Sequence, residues 1–125
     1  MSRKKKSGMG REGPNPENTP TVRSVSASSV SSWVDAHEGE ASTYALNPPD
    51  TIVVGGVTFN DISGGASKQV TGARTTNYTT NYQSSQQASN GEYPVIQVTV
   101  TETTRRSKGG TVRSYAFNKR ETGLW

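Results

Sequence analysis

The sequence predicts a mainly β protein: a small antiparallel sheet or sandwich of hairpins that follows a long, disordered, basic N-terminal arm. Residues 96–101 alternate apolar and polar side chains, which is the period of a strand with one buried face. Glycine pairs at 55–56 and 109–110 interrupt β-prone stretches where a tight hairpin would turn. Residues 1–32 lack periodicity and are rich in glycine, proline and serine, which is typical of a disordered segment.

The composition predicts a small hydrophobic core. Only 29% of the 125 residues are hydrophobic, a low share for a globular chain. A core this small is poorly suited to hold a rigid fold alone, so we expect neighbouring copies or partner proteins to complete it. The residues expected to form it are Ile52, Val54, Val57, Phe59, Ile62, Val70, Val95, Ile96, Val98, Val100, Tyr115 and Phe117.

Charge is segregated along the chain, although the net charge is only +4. Residues 1–32 carry six cations and two carboxylates, residues 33–92 two cations and six carboxylates, and residues 93–125 again six cations and two carboxylates. We therefore expect the two ends to meet polyanions and the acidic middle of one copy to meet the basic hairpin of another.

The predicted organisation has four parts: a basic arm over 1–32, a linker over 33–50 with room for a short helix, a β domain over 51–120 and a tail over 121–125. The basic cluster at the start has three interpretations: a solubilising tail, an arm that contacts nucleic acid, or a nuclear localisation signal. The residues assigned to nucleic-acid contact in the arm are Arg3, Lys4, Lys5, Lys6 and Arg11.

Where the arm meets the linker, Ser32 to Asp35 fits the capping box of a helix start, and Gly39 would end that helix. Trp33 is either an anchor laid on the chain's own sheet or a plug that enters a neighbouring subunit. His37 is the single histidine, and because no thiolate or second imidazole accompanies it, we expect a solvated side chain rather than a metal ligand.

The first β stretch, residues 51–60, predicts a short hairpin about Gly55-Gly56 rather than a phosphate loop, because no GxxxxGK[ST] motif is present. Residues 70–82 contain the tandem repeat TTNYTTNY, which predicts an exposed or edge strand. Tyr78 and Tyr82 would share one face of it, either as interface anchors or as a platform on which bases stack.

The second hairpin spans residues 93–120. A two-residue loop at Gly109-Gly110 or at Lys108-Gly109 would place Tyr115 and Phe117 on the same face as Val98 and Val100, so the apolar pattern favours a tight turn. The tip is basic, which would either discourage edge-to-edge aggregation or contact phosphates and acidic patches. The tip residues assigned to nucleic acid are Arg105, Arg106, Lys108 and Arg113, and Trp125 is a further candidate interface anchor or a tail folded back on the sheet.

Several classes of function are disfavoured. The chain has no cysteine, one histidine, no nucleophile motif and no cofactor fingerprint, so we expect no catalytic residues, no metal, no cofactor and no small-molecule substrate. It has no long apolar run to span a membrane and no apolar segment after its basic start to direct secretion.

The sequence therefore predicts a structural component of a virus-like particle, assembled in the host cytoplasm. A minor, decorating or connector-type virion protein fits the length better than a full jelly roll, which needs eight strands. It would form homo-oligomers or bind other virion proteins through β edges, with its basic arm towards nucleic acid. The alternatives are a standalone nucleic-acid-binding β module and an interaction adaptor with a basic targeting tail.

Overall fold

The computed structural model describes residues 21–22 and 25–118. The chain is mainly β, with 49% strand and 20% helix, and this confirms the predicted fold class. In chain order the elements are β1 (Thr21–Val22), α1 (Ala27–Ala36), a 3-10 turn (Glu38–Glu40), α2 (Ala41–Leu46), β2 (Thr51–Val54), β3 (Val57–Asp61), β4 (Ser67–Val70), β5 (Thr75–Ser84), β6 (Gln87–Ala88), β7 (Val95–Ser107) and β8 (Gly110–Phe117).

Six strands form one curled antiparallel sheet in the order β2-β3-β5-β7-β8. The sixth, β4, pairs with β5 on the same side as β3, so that β3 lies beside the end of β5 and β4 beside its beginning. Strands β1 and β6 form a separate two-stranded parallel sheet. Both helices pack on one face of the large sheet, which we call the inner face, and the opposite face is called the outer face.

Both predicted hairpins are confirmed. In β2–β3, Val54 pairs with Val57 across Gly55 and Gly56, whose φ angles of 59° and 79° fit a tight turn that favours glycine at both positions. In β7–β8, Ser107 pairs with Gly110, so the loop is Lys108-Gly109. This register puts Phe117 opposite Val100 on the inner face, as the apolar pattern predicted.

Strand β5 differs from its prediction. It is a central strand, not an exposed or edge strand, because β7 pairs along its whole length and β3 and β4 cover its other side. Tyr78 and Tyr82 do share a face, but that face is the inner one. Every second residue is buried there: Thr76, Tyr78, Thr80, Tyr82 and Ser84.

The helical layer, formed by α1 and α2, is more extensive than the one short helix that the sequence predicted. Helix α1 begins at Ala27, because the Ser26 hydroxyl caps it by accepting a hydrogen bond from the Ser29 N–H at 3.1 Å. The expected start at Ser32 was wrong by about a turn and a half. Residues 25–32, assigned to the arm, are part of the folded body, since Val30, Trp33 and Val34 lie at helical spacing and are buried.

The core is consequently larger than predicted and differently composed. Val25, six helix residues and two tyrosines of β5 join it: Val25, Val30, Trp33, Val34, Ala41, Tyr44, Ala45, Tyr78 and Tyr82. Three expected members are exposed instead: Ile62, Val70 and Val95. Ile62 follows β3 in a turn, Val70 ends a strand whose four side chains are all exposed, and Val95 faces outward because its neighbour Ile96 faces inward.

Candidate interaction surfaces

The structure brings the four predicted basic residues of the second hairpin together on its projecting half. Arg105, Arg106, Lys108 and Arg113 are all exposed. Arg105 lies on the outer face opposite Val112, whereas Arg106 and Arg113 lie on the inner face and Lys108 is in the turn. The backbone of Thr104 donates a hydrogen bond of 2.9 Å to the carbonyl of Arg74, so a fifth cation starts from the same region.

The other predicted nucleic-acid residues and one anchor lie outside the described residues. These are Arg3, Lys4, Lys5, Lys6 and Arg11 in the arm and Trp125 in the tail. Their assignments remain predictions from sequence.

The three remaining anchors are buried in the chain's own core, so the structure does not present them to a neighbour. Trp33 is 6% exposed and packs edge-on against Tyr44 and Phe117, with ring centroids 5.2 and 5.7 Å away. Tyr78 and Tyr82 lie on the inner face, and Tyr82 donates a hydrogen bond of 2.7 Å to the Pro49 carbonyl. This corrects the interpretation of Trp33 as a plug and of the tyrosines as a base-stacking platform.

His37 is also less exposed than expected. It is half-buried rather than fully solvated, it stacks on Trp33 with ring centroids 4.4 Å apart, and its Nδ1 lies 2.7 Å from the Trp33 carbonyl oxygen. Among the residues that the structure describes, no group of three or more metal-ligating side chains comes together. The surroundings of His37 therefore give it a packing role at the end of α1.

A polar cluster lies on the inner face next to the basic tip. It was not predicted from the sequence. Glu102, with 12% of its side chain exposed, accepts a hydrogen bond of 2.7 Å from Tyr115 and a longer one of 3.4 Å from Tyr78. The Nε of Arg113 is 3.8 Å from the same carboxylate. The signal was present in the sequence, because the tight-turn register places Glu102 opposite Tyr115 on the inner face.

The cluster changes the acid–base properties of its tyrosines. The hydrogen bond to Glu102, reinforced by burial, raises the pKa of Tyr115 to about 12. Burial and then the charge of Glu102 raise the pKa of Tyr78. Both hydroxyls therefore stay protonated as donors well above neutral pH. Through these hydrogen bonds, Glu102 of β7 connects to Tyr78 of β5 and Tyr115 of β8.

The opposite end of the sheet is acidic. Residues 25–67 contain five carboxylates and neither lysine nor arginine. Beside the edge of β2 lies a groove of about 350 Å³, bounded by Val53 and Gly55 on the strand and by one side of α1. Small side chains form that helical wall, with Trp33 and His37 at one end: Ser28, Ser29, Ser32 and Ala36. The groove separates this side of α1 from Val53 and Gly55.

The outer face of the sheet is polar and nearly uncharged. Threonine, asparagine and glutamine alternate along β5 and β7, and they are linked across the strands by Thr79–Thr99 and Thr101–Asn77 side-chain hydrogen bonds of 3.1 and 2.9 Å. Arg105 is the single charged residue that the strands of the large sheet place on this face.

In the described part of the chain, neither helix is long and apolar enough to cross a membrane. Comparison with protein families, with curated proteins and with solved structures finds no match.

Proposed function

We propose that the protein is a structural subunit that joins its neighbours through the edges of its sheet, as a minor, decorating or connector-type component of a virus-like particle assembled in the host cytoplasm. The observation that carries the proposal is that the strand path β2-β3-β5-β7-β8 has an open strand at each end. Within the described residues, no strand pairs with the outer edge of β2 or of β8.

The hydrogen-bond pattern determines which backbone N–H and C=O groups these edges present to another strand. Asp61 donates its N–H to the Asp50 carbonyl at 2.8 Å, so the alternating pattern of an antiparallel ladder directs the N–H and C=O groups of Thr51 and Val53 outward. Asn118 likewise donates to the Thr99 carbonyl, so Thr111, Arg113 and the other odd-numbered residues of β8 point theirs outward. Such rows of backbone groups are templates for another strand.

The basic arm supports the second half of the proposal, which is contact with nucleic acid. Its cations would neutralise roughly four phosphates, and the binding constant would then fall with salt at a logarithmic slope of about −0.9 per phosphate. In such a particle the arm would lie on the inner side of the shell, against the nucleic acid.

Size-exclusion chromatography with light scattering and a 260/280 absorbance ratio tests the proposal. The full chain is expected to form particles much larger than a dimer. Deletion of residues 1–20 keeps Ser26 and α1, so it is expected to leave the particles intact and to lower their nucleic-acid content. A chain that stays monomeric at all concentrations would refute the proposal.

A standalone nucleic-acid-binding module is the second candidate, favoured by the exposed cations at the tip of β7–β8. Such a module would be a monomer or dimer that holds an oligonucleotide. Arg105→Gln would weaken its binding and lower the salt slope by about one. Glu92→Gln, a neutralisation far from the tip, would not weaken it.

A further inference from the structure

The open edges of β2 and β8, at the two ends of the strand path, are complementary in charge. Near β2, Asp50 precedes the strand, and Asp35 and Glu38 flank the α1 residues that line the groove. At the other edge, β8 and its hairpin carry four cations, Arg105, Arg106, Lys108 and Arg113, against one carboxylate, Glu102, which lies beside Arg113. Like edges would repel each other, whereas unlike edges attract.

The exposed side chains of the two edges also match. Val53 on β2 is 57% exposed and Val112 on β8 is 38% exposed, and both project from the outer face, so they would lie on one face if the strands became neighbours. A groove of about 350 Å³ lies between α1 and the β2 residues Val53 and Gly55, and the added strand would enter there.

We propose, on the basis of the proposed function, that β8 of one copy adds to the open edge of β2 in the next copy, so that the sheets of successive copies become continuous. Each step in the order β2-β3-β5-β7-β8 reverses direction, so β2 and β8 run the same way and the new pair is parallel. The contact uses different surfaces on the two copies, so it produces a ring where the rotation closes and a filament where it does not.

Disulfide cross-linking tests this pairing directly, because the natural chain has no cysteine. Val53→Cys marks the β2 edge, and Val112→Cys, Ser114→Cys and Ala116→Cys mark three outer-face positions on β8, which together cover the alternative registers. Paired strands bring such cysteines within bonding range, about 4.4–6.8 Å between Cα atoms. The variants are oxidised at the concentration at which the full chain assembles.

A mixture of Val53→Cys with at least one β8 variant is expected to give a disulfide-linked dimer, and neither variant alone should do so. Both cysteines in one chain should give a ladder of longer products. Gln69→Cys, on the exposed outer face of β4, is the matched control and should not link to Val53→Cys.

The outcomes separate the two proposals. A Val53→Cys dimer with itself, or a link to Gln69→Cys, would overturn the β2–β8 pairing. Large particles by light scattering without any β2–β8 link would also overturn it and would leave the assembly function standing. A chain that remains monomeric would remove the function and the pairing together.

Discussion

The two tight hairpins of this protein follow the same local rule but have opposite surroundings. Both alternate inner and outer residues, and both turn through two residues that include glycine. The inner residues of β2–β3 are buried beneath the helical layer, and Phe59 is fully buried. The distal half of β7–β8 projects beyond that layer, and its side chains are exposed from Arg105 to Ser114. Alternation therefore determines which face a residue takes, and the helices determine whether that face is buried.

The largest expected effect is at Phe59. Phe59→Ala should lower the free energy of unfolding by about 3–5 kcal/mol, because it opens a cavity in a packed core. Denaturation in urea measures the change. Tyr93→Ala is the control, since Tyr93 is 47% exposed and its truncation should stay within about 0.5 kcal/mol. Equal losses for the two variants would show that β2–β3 is not covered by the helices.

A pair of valines compares the hairpins with the same substitution. Val54→Ala, at the turn of β2–β3, should cost about 2 kcal/mol, because two buried methyl groups are removed and a small cavity remains. Val112→Ala, near the turn of β7–β8, should change stability by no more than about 0.5 kcal/mol. Thermal and urea unfolding should rank them identically, and a Val112 loss as large as that of Val54 would contradict the difference in burial.

This comparison also explains how much of the fold was predictable. Alternation and glycine turns are local signals, and they predicted both hairpins, the register of β2–β3 and the shared face of Tyr78 and Tyr82. For β7–β8 they left two registers open and predicted the face that Tyr115 and Phe117 take. Whether a strand is central or at an edge depends on distant partners. The polar sequence of β5 therefore favoured an edge strand, whereas its neighbours β3, β4 and β7 make it central.

The extent of the helical layer was underestimated for a related reason. Serine fills much of α1, and serine has only moderate helix propensity, so the segment resembled a polar linker. The signal that was available is the spacing of Val30, Trp33 and Val34, together with Ser26 as a cap. Within the candidate site, the position of the basic tip was predictable from the sequence. The burial of Trp33, Tyr78 and Tyr82 was not predictable in this way, because it depends on which elements pack over the sheet.

The cap of α1 tests how far the helical layer supports each hairpin. Ser26→Ala removes the hydrogen bond to the Ser29 N–H and should cost about 1 kcal/mol. Because α1 contacts β2, amide hydrogen exchange should speed up in β2–β3 more than at the tip of β7–β8. Ser31→Ala, an exposed position inside the helix, is the matched control and should not lower stability. Uniform acceleration in both hairpins would mean that the two regions open as one unit.

The smallest expected effect on stability at neutral pH comes from replacing Glu102, which lies where the projecting half of β7–β8 joins the rest of the sheet. Tyr115 has a pKa of about 12 in the folded chain against an ordinary value of 10.0, so its contribution to stability is fully present below pH 10 and is lost as the pH rises from 10 to 12. Glu102→Gln removes the charge behind the hydrogen bond that is the main cause of the shift. The pKa of Tyr115 should then move back towards 10, and the stability of the variant should fall less steeply above pH 10.

Tyrosinate absorbance during an alkaline titration measures this pKa, and Tyr115→Phe identifies the signal. Glu92→Gln is the matched control, because Glu92 is exposed and lies on a loop away from the cluster. An unchanged titration in Glu102→Gln would mean that burial, and not the carboxylate, protects the hydroxyl. Burial also raises the pKa of Tyr82, but that residue lies under the helical layer and should titrate identically in both variants. The two tyrosines thus report separately on the covered and the projecting parts of the same sheet.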